Sequence, residues 1–256
     1  RVITGDKYSI MELIKNPDLL NVPQAIRNRY KLILVPTTFG TSSEITKWGT
    51  IWDWDKNKKY SISQESLYAD LALIYPELSL SLPRDVTAYT GLDVFSHALE
   101  SFWNMEGNFL TRGYSLSAIQ ICLETLPKLL SDLSSIKCRI QMAKATLLAG
   151  LAFSQPKTAA AHALSYPLTL HHNIPHGFAC SLTLGAMFDF NLSKQPELRQ
   201  ILMLLQKTHG DSTSSFGKCF QRFLEDCDVP CSLSDFGVKS TDIPRLVQES
   251  FHPDRF

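Results

Sequence analysis

The pattern of apolar and polar positions changes near residue 80, and this change predicts two regions of different architecture. Before it, Lys31–Val35 is a compact apolar run ended by Pro36, which is typical of a buried strand in a parallel sheet. Leu71–Ile74 is predicted as another short strand, ended by Pro76. A short helical pattern covers Ser9–Ile14. After residue 80, strand-like alternation nearly disappears and helical periodicity takes over.

A β-hairpin is predicted in the first region, where β-branched and aromatic residues in Ile45–Trp54 and Tyr60–Ser63 flank the turn segment Asp55–Lys58. Ser81–Pro83 looks like the start of a helix, with Ser81 or Leu82 near the cap and the proline in the first turn. Further helices are predicted over Thr111–Leu133, Ile136–Phe153, Thr158–Leu170, Gly177–Asn191, Pro196–Thr208, Ser214–Cys227 and Thr241–Glu249.

These elements predict an α/β region followed by an all-helical domain, divided as residues 1–80 and 81–256. A chain of 256 residues is long enough for two modest domains, and its 44% apolar and 20% charged residues are ordinary for a globular protein with a real core. The formal net charge of +0 signals no basic face, so a nucleic-acid partner is not expected.

Membrane and disulfide chemistry are not expected either. The sequence has no apolar run of the ~18 residues that a membrane span needs, and no signal peptide, so a cytoplasmic location is predicted. The cysteines form no C-x-x-C pair, which favours reduced thiols packed as small hydrophobic residues over disulfides or a cysteine metal site. They are Cys122, Cys138, Cys180, Cys219, Cys227 and Cys231.

An acid and three histidines are candidate metal ligands. Asp93 and His97 are one helical turn apart and therefore share a helix face, where burial of the carboxylate is costly unless a cation compensates it. His162 follows a run of alanines, and His176 lies in a tight Pro-His-Gly turn. One carboxylate and three imidazoles suit Fe(II) or Zn(II), but each histidine taken singly also fits an ordinary structural role.

Five segments, in order, resemble the iron-containing alcohol dehydrogenase family. They are PTTFGTSSE at Pro36–Glu44, LSLP at Leu80–Pro83, TGLDVFSHALE at Thr90–Glu100, AHAL at Ala161–Leu164 and IPHG at Ile174–Gly177. The resemblance implies a nucleotide-binding α/β domain followed by a helical domain, the dehydroquinate synthase-like fold of that family, with the active site between them. It also implies a longer segment before Arg1 that carries a Gly-Gly-Gly-Ser pyrophosphate loop, so the sequence is expected to be truncated.

The resemblance assigns roles to individual residues. It implies one divalent metal, Fe(II) or Zn(II), on Asp93, His97, His162 and His176, and NAD(H) or NADP(H) as cofactor. The implied cofactor contacts are Thr37, Thr38, Phe39, Gly40, Thr41, Lys59 and the segment from Leu78 to Leu82. Tyr166 occupies a position where many members carry a further histidine, so Tyr166 and His172 are the candidate proton relays.

Within the family, the segments KWGTIWDWDKNKKYSI and AHALSYPLTLHHNIPHG are most similar to phosphonoacetaldehyde reductases, which form 2-hydroxyethylphosphonate. The expected partner is therefore a small aldehyde or alcohol, with Lys47, Lys157, His171 and His172 as candidate cations for a phosphonate, and a homodimer is the expected assembly. Three alternatives stay open: a metal-dependent hydrolase, a catalytically incompetent metal-binding fragment, and the dehydroquinate synthase or glycerol dehydrogenase branch.

Overall fold

The structure, a computed structural model, describes residues 8–20 and 28–251. It divides into two compact units. The N-terminal unit is made of the described part of Arg1–Pro36 together with Ser43–Tyr75, and the helical unit is made of Thr37–Ser42 and the described part of Pro76–Phe256. The loop Thr37–Ser42 thus belongs to the helical unit, and a domain boundary near residue 80 stays a prediction.

The described residues of the N-terminal unit include helix α1, two short parallel strands and a hairpin. Helix α1 spans Ile10–Lys15 and is capped by Ser9, whose hydroxyl accepts a hydrogen bond from the Glu12 amide (3.2 Å). Strands β1 (Ile33–Leu34) and β4 (Leu71–Ala72) pair in parallel. Strands β2 (Trp48–Asp53) and β3 (Lys58–Ser63) pair antiparallel, as the sequence predicts, around a turn in which Asn57 has a φ of 48°.

The prediction that the apolar run around β1 forms a buried strand is wrong for this structure, and its partner β4 is exposed as well. Ile33 and Leu71 are each 52% exposed, and Leu73 is 50% exposed. The reason is that this sheet has only two strands within the described residues, joined at two register pairs, so the predicted sheet with both faces covered is not formed.

The helical unit is a packed set of helices. Their bounds are α2 Arg84–Trp103, α3 Phe109–Ser131, α4 Ile136–Phe153, α5 Ala160–His172, α6 His176–Ser181, α7 Leu184–Leu192, α8 Arg199–His209, α9 Phe216–Asp226 and α10 Ile243–Ser250. Most agree with the predicted helices to within two or three residues. Short 3-10 turns at Pro76–Ser79, Pro196–Leu198, Leu233–Phe236 and Ser240–Asp242 lie between or beside them.

Two predicted helix limits are wrong. Pro83 is the N-cap of α2 and not part of its first turn, because its extended backbone (ψ 155°) leaves its carbonyl to accept the Thr87 amide (3.0 Å). The single helix predicted over Gly177–Asn191 is two helices, α6 and α7. At the break the Thr183 hydroxyl donates to the Cys180 carbonyl (3.1 Å), which offers the backbone an alternative to helix continuation.

Helix α2 lies at the centre of the core. Every residue from Gly91 to Trp103 is buried, so this part of the helix has no solvent face. Phe95 is fully buried and stacks on Phe220 of α9, with ring centroids 5.3 Å apart. The segment that carries Asp93 and His97 is therefore fixed by packing in the hydrophobic core, independently of any bound ion.

Candidate metal centre

Helix α6 packs directly on the backbone of α2, and a glycine makes this approach possible. A Cβ atom at Gly177 would lie 1.8 Å from the Tyr89 carbonyl oxygen and 3.2 Å from the Asp93 Cβ. Only a residue without a side chain fits there. The close approach sets His176, which precedes Gly177, beside Asp93.

Four side chains form what we call the donor cluster: Asp93, His162, His176 and Cys180. One ligand atom from each lies within 4.8 Å of the others. Three members are ligands expected from the sequence, and the fourth, Cys180, is not. Asp93, His162 and Cys180 are buried, and His176 is partly buried.

Two atoms of the cluster that face each other lack a hydrogen-bond partner within the described residues. Asp93 Oδ1 and His162 Nε2 are buried with no hydrogen-bond partner within the described residues, and they lie 3.5 Å apart. His176 Nε2 lies 3.9 Å from the same Asp93 oxygen. Buried acceptors left unsatisfied are costly, and a divalent cation among them would satisfy them together. The residues therefore fit a metal ion.

Glu100 fixes the orientation and tautomer of His162. This carboxylate, 0% exposed on α2, accepts the Ala161 amide (2.6 Å) and the His162 amide (3.3 Å). It also bonds His162 Nδ1. When the Nδ1–H group donates a hydrogen bond to the carboxylate, the Nε2 lone pair of the neutral ring faces Asp93, the arrangement that metal-bound histidines commonly use.

Ser165 has the same effect on His176. Its hydroxyl donates to the His162 carbonyl (2.7 Å), so toward His176 Nδ1 (3.1 Å) its oxygen can only accept. The proton of a neutral His176 then lies on Nδ1, and Nε2 is left as the ligand atom. The Tyr166 ring lies parallel to the His176 ring, with centroids 6.0 Å apart.

His97 lies beside the donor cluster but is not part of it. Its ring stacks between Phe153 (centroids 4.3 Å apart) and His162 (4.4 Å), and its Nδ1 is 3.9 Å from Asp93 Oδ2. That nitrogen has no hydrogen-bond partner in the part of the chain that the structure describes. His97 as a metal ligand therefore stays a prediction.

Burial and neighbouring charges shift the pKa values of these groups in different directions. Burial lowers the pKa of His97 to about 4, with Asp93 opposing that change, so His97 is neutral at neutral pH. Burial alone would raise the pKa of Cys180, but His162 and His176 outweigh it and lower that pKa to about 7. Burial also opposes ionisation of Asp93, yet the nearby histidines hold its pKa well below its usual range.

The expected cofactor loop packs against the metal-bearing helix. Phe39 and Gly40 are buried, and a Cβ at Gly40 would lie 2.9 Å from the Thr90 Cβ, one turn before Asp93. The Ser42 hydroxyl donates to the Thr146 carbonyl (2.7 Å) and fixes the end of the loop. The cofactor contacts expected of Thr37, Thr38, Phe39, Gly40 and Thr41 stay predictions.

The other expected cofactor contacts lie elsewhere. Lys59 is on β3 of the N-terminal unit, where its ammonium donates to the Ser61 hydroxyl. Leu78 lies in the 3-10 turn Pro76–Ser79 and is 41% exposed, and Leu82 is half-buried just before α2. Their roles also stay predictions.

Two of the four expected phosphonate-binding cations already have charge partners. His171 Nε2 lies 2.6 Å from a Glu249 carboxylate oxygen, and Lys47 is paired with Glu65. His172, the second candidate relay, ends α5 and has a buried Nε2 with no hydrogen-bond partner within the described residues.

Sequence reasoning missed Glu100 and Cys180, although helical spacing carries a signal for both. Glu100 is three residues after His97 and seven after Asp93, which sets all three near one face of α2. Cys180 is four residues after His176 and one turn along the same helix. All six cysteines are free thiols, as predicted, but Cys180 lies in the donor cluster and not only in the apolar core.

Comparison with known proteins decides the family. The sequence profile described as "Fe-containing alcohol dehydrogenase family, C-terminal" matches residues 87–255, and the profile described as "Iron-containing alcohol dehydrogenase" matches residues 7–76. The chain belongs to the iron-containing alcohol dehydrogenase family. This confirms the resemblance seen in the sequence.

Similar proteins include two reductases or dehydrogenases of small molecules. Sulfoacetaldehyde reductase of Bilophila wadsworthia is 30% identical over 258 residues, covering 98% of this chain and 64% of that protein. The 1-propanol dehydrogenase PduQ of Citrobacter freundii is 38% identical over 229 residues, covering 84% of this chain and 62% of that protein.

Solved structures confirm the fold class. The structure of sulfoacetaldehyde reductase from Bifidobacterium kashiwanohense in complex with NAD+ matches with a TM-score of 0.77 and 31% identity, covering 87% of this chain and 59% of that one. A 1,3-propanediol oxidoreductase matches with a TM-score of 0.78 and 27% identity. The chain spans between 59% and 64% of the length of these relatives. Within the described residues, no helix is both long and apolar enough for a bilayer crossing.

Proposed function

We propose that the protein is a metal-dependent, NAD(P)H-linked alcohol dehydrogenase that works as an aldehyde reductase. One observation carries the proposal: Asp93 Oδ1, His162 Nε2 and His176 Nε2 converge in a buried place, and the first two have no partner within the described residues. Membership of the iron-containing family and the similarity to a reductase solved with NAD+ support it.

In this proposal Asp93, His162 and His176 hold the cation, with His97 as the expected fourth ligand. When bound, an Fe(II) or Zn(II) ion polarises the substrate carbonyl and a nicotinamide supplies the hydride. Glu100 and Ser165 contact Nδ1 of His162 and His176, so that Nε2 of each ring would be the ligand atom. The Phe153 ring on His97 excludes water from that side.

Proton delivery to the product oxygen is assigned to Tyr166 or His172. Tyr166 lies against the ring of His176, next to the donor cluster, and a phenol can donate a proton. His172 follows Tyr166 on the same helix and offers a buried imidazole nitrogen without a protein partner in the described ranges. Replacing each in turn by Phe or Gln tests which of them sets the rate of the proton-dependent step.

The proposed substrate is a short aldehyde with an anionic tetrahedral headgroup, phosphonoacetaldehyde being the expected one. Sulfoacetaldehyde, the substrate that gives one similar protein its name, carries a sulfonate in the corresponding place. The candidates to meet that charge are His172, Lys157, His171 and Lys47, of which His171 faces Glu249 and Lys47 faces Glu65. A homodimer in the cytoplasm is part of the proposal, and sedimentation equilibrium tests the assembly.

The test is oxidation of NADH and NADPH by phosphonoacetaldehyde, sulfoacetaldehyde and propanal, with Fe(II) or Zn(II) supplied. We expect turnover that depends on metal and is faster with the anionic aldehydes. His162→Ala removes bound metal and turnover together, whereas His209→Gln, on α8 and bonded to Asp226, keeps its metal. No turnover with any aldehyde, or full turnover by His162→Ala, would contradict the proposal.

A further inference from the structure

We infer that the doubly protonated ring of His209 joins helices α3, α8 and α9, so that the helical unit contains a pH-dependent brace. His209 is the last residue of α8, and its side chain is 7% exposed. Its Nδ1 lies 2.8 Å from Asp226 Oδ2 on α9, and its Nε2 lies 3.2 Å from the Leu123 carbonyl oxygen on α3. The inference goes beyond the proposed function, because the brace involves neither the metal nor the cofactor.

The Leu123 carbonyl can accept this bond because of a proline. In a regular helix the carbonyl would accept the amide of the residue four positions later, but that residue is Pro127, which has no N–H group. Leu123 is 2% exposed, and a backbone carbonyl left without a donor in such a place is costly. The His209 ring supplies the missing donor from another helix.

Both hydrogen bonds form together only when the ring carries two protons. A carboxylate and a backbone carbonyl are acceptors, so a neutral ring, with its single N–H group, can donate to Asp226 or to Leu123 but not to both. Its remaining lone pair would then face an acceptor. Two features favour the charged ring: the Asp226 carboxylate, and the C-terminal end of α8, where the helix dipole favours a cation.

Asp226 is the charged side chain that contacts the ring within the described residues. Three other charged residues of α3 and α9 have partners elsewhere. They are Glu124 with Gln120, Glu225 with Gln221, and Arg222 with Asp211. Lys207 is two residues before His209, which sets it on another side of α8. The Cys227 thiol beside Asp226 stays neutral, because burial raises its pKa. The brace therefore depends on one imidazole and one carboxylate.

Aromatic contacts connect the brace to helix α2. The His209 ring meets the Phe223 ring edge-on, with centroids 5.1 Å apart, and Phe223 contacts Phe95, with centroids 5.6 Å apart. Phe95 is two residues after Asp93 on α2. When the ring loses a proton, one of its two hydrogen bonds is lost. The stability that the brace contributes is therefore present while the ring is charged and is lost as the pH rises.

Urea unfolding at two pH values tests the inference. At about pH 6, His209→Gln, which keeps a donor but cannot carry a charge, should unfold at a lower urea concentration than the unaltered chain. At about pH 9, where imidazole is ordinarily neutral, most of that gap should close. Thr208→Ala, at the neighbouring exposed hydroxyl, is the control and should show no gap that changes with pH. A gap of equal size at both pH values for His209→Gln would overturn the inference.

Pro127→Ala distinguishes the brace from an ordinary ion pair. This replacement gives the Leu123 carbonyl an amide donor again, so His209→Gln should lower the urea midpoint less when Pro127→Ala is present. Alanine suits a helix interior better than proline, so the variant should fold. An equal loss with and without Pro127→Ala would mean that the carbonyl takes no part, and the three-helix brace would be refuted.

NMR of the unaltered chain with isotope-labelled histidine reads the ring without any dependence on stability. At about pH 6, both N–H protons of the His209 ring should be observed, because hydrogen bonds to Asp226 and to Leu123 slow their exchange with water. The signals are assigned by their absence from the spectrum of His209→Gln. A His209 ring with one observed N–H proton, or with none, would overturn the inference.

Discussion

The helical unit buries its strongly apolar segments, whereas the N-terminal unit leaves apolar strand residues exposed. In the helical unit, Leu92, Phe95 and Leu99 of the central helix are all 0% exposed. In the N-terminal unit, Ile33 and Leu71, paired across the two-stranded parallel sheet, are each 52% exposed. Both sets are strongly apolar in sequence, so composition alone does not separate them.

The difference shows which functional residues are held in place by a closed hydrophobic core. The donor cluster and Glu100 lie on helices that a closed hydrophobic core holds in place, so the site's geometry follows from packing within that unit. The strands carry the alternating and apolar patterns of a larger sheet, but within the described residues they form only pairs. Residues that are expected to bind the dinucleotide, such as Lys59, depend on that less complete region.

The largest expected effect comes from core deletion in the two units. Phe95→Ala removes a fully buried ring that stacks on Phe220, and should lower the free energy of unfolding by about 3–5 kcal/mol. Ile33→Ala, at a half-exposed strand position, should lower it by about 0.5 kcal/mol or less. Urea unfolding followed by far-ultraviolet circular dichroism measures both, and equal losses would mean that β1 is as well packed as α2.

The approach of α6 to α2 gives the next largest effect. Gly177→Ala places a Cβ against the Tyr89 carbonyl, so α6 must move away, at about 1–3 kcal/mol of stability and with loss of bound metal. Gly113→Ala is the matched control, since a Cβ there meets nothing within 4 Å in helix α3. It should keep its metal and gain up to about 1 kcal/mol. Normal metal content in Gly177→Ala would show that the close approach does not position the ligands.

Glu100 should affect metal affinity more than stability. Glu100→Gln leaves His162 Nδ1 without a carboxylate acceptor, and loss of such a supporting group typically weakens metal binding about 10–100-fold. Competition with a chelator for Zn(II) measures this change. Glu124→Gln, an exposed position on α3 that bonds Gln120, should leave the affinity unchanged. Equal affinities of Glu100→Gln and the unaltered chain would remove Glu100 from the account.

The smallest expected effect concerns the loop that is expected to contact the cofactor. Ser42→Ala breaks a buried hydrogen bond of 2.7 Å to the Thr146 carbonyl and should cost about 1 kcal/mol. Ser117→Ala, which removes an exposed hydroxyl bonded to the Gly113 carbonyl, should change stability by about 0.5 kcal/mol or less. Thermal unfolding of both variants checks this, and indistinguishable midpoints would mean that the loop is not anchored through Ser42.

The helices of the helical unit could be predicted with few errors because helical periodicity is a local property of the sequence. Helical periodicity gave α4 its observed limits, Ile136–Phe153, and the four-residue spacing of Asp93 and His97 set both on one buried helix. The hairpin was equally local, since the turn residues and strand propensities lie next to each other. Burial of β1 was wrong because it depends on what covers a strand, which spacing along the chain does not report.

The donor cluster could be predicted only in part for a similar reason. Three of its members follow from ligand chemistry and family resemblance, but Cys180 depends on a contact between two helices that Gly177 permits. Glu100 likewise reaches His162 across a sequence separation of 62 residues. Helical spacing sets Glu100 and Cys180 on the faces of Asp93 and His176, but it does not report which helices meet there, so Asp93 and the three histidines looked like a complete ligand set.

Anomalous X-ray scattering from crystals of the metal-loaded chain tests the central claim most directly. Data collected on either side of the metal absorption edge should show one strong peak within bonding distance of Asp93 Oδ1, His162 Nε2 and His176 Nε2. A peak bound to other residues, or no peak in crystals grown with excess Fe(II) or Zn(II), would contradict the account.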